Sequence, residues 1–146
     1  MFARSAITAA AAGLALAAFG VPAATAAPAI PLNSGQEVDA GDVDAGEPGG
    51  HGFFTYSIEG TEFCWTLSWQ NIGTPTAAHI HVGGRQVAGD VVIPLDDVDV
   101  PGPLDPSGCR TISADLAADI TEDPGAFYVN VHNAEFPPGA IRGQLK

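Results

Sequence analysis

The chain has 146 residues, of which 17 are acidic and five are Lys or Arg, giving a formal net charge of −12. Such a surface repels nucleic acid and anionic membranes, so neither is an expected partner. The length supports one small core rather than two.

The N-terminus reads as a secretory signal peptide over residues 1–26. Arg4 supplies the positive end, Ala6 to Val21 is an apolar run without charge, and Ala24-Thr25-Ala26 has the small-residue cleavage pattern. Cleavage after Ala27 would leave Pro28 first, which favours Ala26. The run is short and Ala-rich for a membrane anchor, and no second stretch of spanning length follows, so no membrane span is expected after its removal. The remaining residues, 27–146, form one domain, secreted or held at the cell envelope. Cys64 and Cys109 are the only cysteines, and in an oxidising compartment they are expected to pair.

Ala29 to Ser34 is a first strand, followed by Gly35-Gln36-Glu37-Val38. Asp39 to Gly50 is an acidic, glycine-rich loop with Asp39, Asp42, Asp44 and Glu47. Alternating oxygen ligands suit calcium, but the spacing is not that of an EF-hand and no helix flanks it, so a solvated turn is expected. His51 to Ile58 and Thr61 to Gln70 flank Glu59-Gly60 as a hairpin. Phe63, Trp65, Leu67 and Trp69 share one face of the second strand, and that face belongs in the core.

The next strand is Ala77-Ala78-His79-Ile80-His81-Val82-Gly83. Side chains alternate along a strand, so His79 and His81 leave by the same face. Asp90 to Leu95 is a short strand whose Pro94 places it at an edge or a strand end. A second acidic loop runs from Asp96 to Gly108, and Cys109 to Ile112 is a strand that the disulfide would tie to the Trp-rich one. Ser113 to about Thr121 is the one helix, with Ser113 as N-cap, Asp115 in the first turn, and Leu116 and Ile120 as its apolar stripe. Pro124-Gly125 stops it. In the following strand, Phe127 to Asn133, the side chains of Phe127, Val129 and Val131 face the core, and those of Tyr128, Asn130 and His132 face away. Ala140 to Leu145 closes the domain. Many short strands with Gly and Pro turns indicate an all-β antiparallel sandwich or barrel of about eight strands, with one short helix before the penultimate strand.

Gly35-Gln36-Glu37-Val38, Ala78-His79-Ile80-His81-Val82-Gly83, Val91-Val92-Ile93-Pro94-Leu95 and Gly108-Cys109 form an ordered set. It ends in Tyr128-Val129-Asn130-Val131-His132-Asn133, Phe136-Pro137 and Gly139 to Leu145. On these motifs the chain resembles the CHRD domain family, named for chordin, over essentially all of its length after the leader. Asp39 departs from the proline that many members carry after Glu-Val. The resemblance implies an extracellular β-rich module and a Cys64–Cys109 pair of the kind found in secreted bacterial members. In chordin such domains accompany binding of secreted growth factors, a partner that a single-domain bacterial member need not share.

The sequence is compatible with three functions. No nucleophile elbow, HExxH, P-loop or dinucleotide fingerprint is present, so the first expectation is a non-enzymatic binding or structural module for an extracellular protein or envelope component. The second is a copper or zinc site built from His79, His81 and His132, with Tyr128 or Asn130 orienting a ring and His51 as a candidate fourth ligand. The alternative for these histidines is a structural role, bonded to backbone carbonyls, Asn130 or Glu135. The third, a copper-dependent dismutase-like enzyme, rests only on local likeness of the His-x-His strand. Arg142 is expected to pair with a carboxylate.

Overall fold

A computed structural model describes residues 28–39, 41–96 and 104–146. The segment read from the sequence as a signal peptide and part of the second acidic loop lie outside the described residues. The elements in chain order are β1 (Ile30–Asn33), β2 (Val38–Asp39), β3 (Asp42–Val43), β4 (His51–Glu59), β5 (Glu62–Gln70), β6 (Pro75–Val82), β7 (Val91–Pro94), β8 (Ser107–Thr111), α1 (Ala114–Glu122), β9 (Phe127–Asn133) and β10 (Ile141–Gln144). Eight strands form one sheet in the order β7-β6-β9-β10-β1-β4-β5-β8, and β2 and β3 form a separate two-residue ribbon. The sheet is antiparallel and curls into a half-barrel. The all-β class, the strand count and the helix before the penultimate strand agree with the sequence.

The β4–β5 hairpin is the longest ladder, in register from His51↔Gln70 to Glu59↔Glu62. Gly60 turns it with φ +61°, a left-handed conformation that costs a glycine little. Phe63, Trp65 and Leu67 enter the core as their alternation requires, with Trp69 partly buried beside them. Fully burying side chains of this size is worth about 1.5–3 kcal/mol each. Helix α1 begins where Ser113 Oγ accepts from Leu116 N–H at 3.1 Å. Its buried residues are Ala117 and Ile120, while Leu116 packs only partly, so the inward stripe lies one residue round from the expected one.

β7 and β8 are the two sheet edges. Pro94 ends β7, where its missing N–H removes no interior ladder bond. On β8, Cys109 sits directly opposite Cys64 and the two form the disulfide. Their separation of 45 residues makes the bridge worth about 4 kcal/mol in the chain-entropy model.

Two expectations change. β9 is buried on both faces except at His132, because chain segments cover the side expected to face solvent. Within the acidic loop, Asp39, Asp42 and Asp44 are exposed, but Glu47 turns inward. Its two oxygens accept from Gly73 N–H at 3.1 and 3.0 Å, and Asn133 Nδ2 donates to Oε2 at 2.6 Å. The loop is pinned to the start of β6 and the end of β9 by this carboxylate.

Candidate metal centre

β6 and β9 are adjacent and antiparallel, with Ala77↔His132, His79↔Asn130 and His81↔Tyr128 in register. This pairing places His79, His81 and His132 on one face, His132 diagonal to His79. One nitrogen from each lies within 4.8 Å of the others. His79 Nδ1 is 2.9 Å from His132 Nε2. His51 does not join them: it opens β4, exposed, with Nδ1 on Gly49 O, and β10 and β1 intervene between β4 and β9.

The outer nitrogens are anchored by the backbone. His132 Nδ1–H donates to Pro137 O at 2.8 Å, and His81 Nδ1–H donates to Gly89 O at 2.8 Å. Both neutral rings therefore carry their lone pair on Nε2, on the side of the cluster. His81 also stacks on Tyr128, centroids 4.8 Å apart and planes within 7°. Tyr128 Oη accepts from Gly89 N–H at 3.1 Å, so the same residue that fixes the His81 tautomer is itself held. Asn130 and Tyr128 thus contact the His81 ring, as the alternation suggested. No hydrogen bond or ion pair joins Glu135 to the histidines among the described residues.

The protons do not suffice for the contacts. If His79 carries its proton on Nδ1, it donates to His132 Nε2, but its Nε2 lone pair then faces Asp96 Oδ1 at 3.6 Å. That oxygen is buried and has no hydrogen-bond partner among the described residues. If the proton is on Nε2, it points to Asp96, and two lone pairs then face each other across 2.9 Å. His81 Nε2, bare, lies 3.0 Å from Asn130 Oδ1, whose amide nitrogen donates to Pro138 O. A further positive charge between His79 Nδ1 and His132 Nε2 removes the conflict at that pair. A proton is a poor candidate: burial, reinforced by neighbouring His132, lowers the His79 pKa from 6.5 to about 4. Burial also lowers the pKa of His81 and of His132. All three are neutral imidazoles at neutral pH, the form that ligates metals.

Asp96 and Glu37 were missed in the sequence. Asp96 follows the edge strand β7 and reads there as the first acid of a polar loop. Glu37 is 1% exposed, and Val38 N–H donates to its Oε1 at 3.1 Å. Its Oε2 is buried without a partner among the described residues. Burial raises its pKa from 4.5 to about 7 against the opposing pull of Arg142 and Asn130. Gly139 makes room for it: at φ +153° a Cβ would overlap the Glu37 carboxyl group.

Arg142 differs from expectation, since no carboxylate bridge forms to it among the described residues. Its guanidinium lies 3.3 Å from the Tyr128 ring centroid, on the ring that His81 also stacks on. It donates to Val87 O at 3.0 Å and Gly84 O at 2.8 Å. Gln144 Nε2 donates to Gly83 O at 2.7 Å. Arg142 and Gln144 therefore fasten the loop that carries Gly89.

A family model described as the CHRD domain matches residues 29–145. The chain belongs to the CHRD domain family. The CHRD match spans every strand of the sheet and includes all three histidines, Asp96, Glu37 and Arg142. No curated protein and no solved structure matches the chain significantly.

Proposed function

We propose that this CHRD domain is an exported, non-enzymatic metal-binding module in which His79 Nδ1, His81 Nε2 and His132 Nε2 hold one copper or zinc ion. The observation that carries the reading is the convergence of three neutral imidazoles whose other nitrogens are already directed outward. Two of these donate to backbone carbonyls, and the third faces the partnerless oxygen of Asp96. Outer partners of this kind fix ring orientation in metal sites. Nitrogens sharing one ion at about 2.0 Å in tetrahedral geometry lie about 3.3 Å apart, so the 2.9 Å His79–His132 approach needs to open by only a few tenths of an ångström.

The donor set suits copper(II) or zinc, which imidazole favours. Thiolate donors are absent because both cysteines are in the disulfide. That bridge and the family support a place outside the cytoplasm. A structural role alone would explain the carbonyl contacts but leaves a His79 lone pair opposed to either His132 Nε2 or Asp96 Oδ1. Elemental analysis and Cu(II) and Zn(II) titration of the protein purified without a histidine tag test the proposal. One equivalent should bind, and His79→Ala, His81→Ala and His132→Ala should each lose it. Binding indifferent to all three changes would return the histidines to a scaffold role and the search to a macromolecular partner.

A further inference from the structure

We infer that Arg110, anchored by the Cys64–Cys109 disulfide, is a positioning residue for the metal centre and acts through Asp96. The inference rests on the metal reading above. Arg110 lies on β8, at the edge of the sheet opposite to β7. Because the sheet curls, these two edges approach, and Arg110 Nη2 donates to Asp96 O at 3.0 Å across the seam. The preceding residue, Leu95, is held by its N–H on Ala78 O at 2.8 Å. Asp96 is therefore fixed from both sides, by β6 through Leu95 and by β8 through Arg110. Its carboxylate faces His79 Nε2 at 3.6 Å.

β8 has only five residues and pairs with β5 alone. The residue next to Arg110 is Cys109, bonded to Cys64 directly across the ladder. The disulfide thus fixes the strand from which Arg110 reaches, and a bridge far from the histidines in sequence sets where their carboxylate partner sits. With a cation on His79 Nδ1, the ring must hold its proton on Nε2, and Asp96 is the acceptor that orients it. Displacing Asp96 should loosen the ligand without removing it.

The test is Cu(II) affinity by chelator competition, with the Cu(II) electron paramagnetic resonance spectrum, for wild type, Arg110→Ala, Arg110→Lys, Asp96→Ala and the Asp96→Ala/Arg110→Ala double variant. Arg110 is partly exposed, so its replacement spares the core, and metal-free melting curves check folding. Losing an outer partner of a ligating histidine weakens metal binding by roughly 10–100-fold. Asp96→Ala should fall in that range. Arg110→Ala should weaken binding several-fold with an altered spectrum, Arg110→Lys should restore part of both, and the double variant should be no weaker than Asp96→Ala alone. The Cys64→Ser/Cys109→Ser variant should resemble Arg110→Ala. If Arg110→Ala binds Cu(II) as wild type does while the histidine variants lose it, the inference is overturned and the metal centre stands. If wild type itself binds no Cu(II), both are overturned.

Discussion

Replacing Glu37 with Gln should make the protein more stable at alkaline pH than wild type, by an amount that grows across a defined window. The folded-state pKa of about 7 lies above the unfolded value of 4.5. The folded protein therefore holds this proton more tightly than the unfolded chain does. Stability from the group is fully present below pH 4.5 and is lost as pH rises through 7. The 2.5-unit difference between the two values, at 1.36 kcal/mol per unit, makes the loss about 3 kcal/mol by pH 8. Gln mimics the neutral acid and has no proton to lose. Urea unfolding of metal-free wild type and Glu37→Gln at pH 4.5 and pH 8 measures the effect. The stability of the variant relative to wild type should rise by about 3 kcal/mol between the two conditions. The histidines titrate equally in both proteins and cancel in the difference. A difference that is the same at both pH values would show that Glu37 ionises freely in the fold and would refute the burial argument.

The metal-free protein should lose stability in the opposite direction as its histidines protonate. His79 is depressed to about 4 from 6.5, so its stabilisation is present above pH 6.5 and lost as pH falls through 4, read by urea unfolding of Glu37→Gln, where Glu37 no longer opposes it. Metal affinity should be nearly flat from pH 8 to 6.5 and fall towards pH 4, read by Zn(II) competition titration, because protons compete only near the depressed pKa values. At 100 times its dissociation constant, a bound ion should stabilise the fold by about 2.7 kcal/mol, reversed by chelator and absent in His132→Ala, as followed by thermal melting. Arg142→Ala should cost about 2–4 kcal/mol in urea unfolding, since it strips partners from two loop carbonyls and the face of Tyr128. Amide exchange should then speed up in the Gly83–Gly89 loop.

The strands were legible because alternation is strict where one face is buried. β5 shows it through Phe63, Trp65 and Leu67, and the His-x-His strand through Ala78 and Ile80. The shared face of His79, His81 and His132 followed from the same period. Their proximity did not, because adjacency of β6 and β9 is a matter of sheet order, and 44 residues lie between the end of β6 at Val82 and the start of β9 at Phe127. β9 misled in one respect. Tyr128 and Asn130 look like solvent-facing positions but are buried, since the Gly83–Gly89 loop and the Pro137–Gly139 turn lie over them. Glu37 and Asp96 were hidden for a related reason. In a chain with 17 acidic residues, nothing local separates a buried carboxylate from a solvated one. Arg142 went wrong through composition as well, since an abundance of acids suggested an ion pair where backbone carbonyls and an aromatic ring take the guanidinium.

The most direct measurement is anomalous diffraction at the copper and zinc edges from crystals grown with each metal. The account predicts one peak per chain, about 2.0 Å from His79 Nδ1, His81 Nε2 and His132 Nε2, with the His79–His132 nitrogens moved apart from 2.9 Å and His79 Nε2 turned to Asp96. Peaks confined to surface carboxylates, with the direct His79–His132 contact intact, would contradict it.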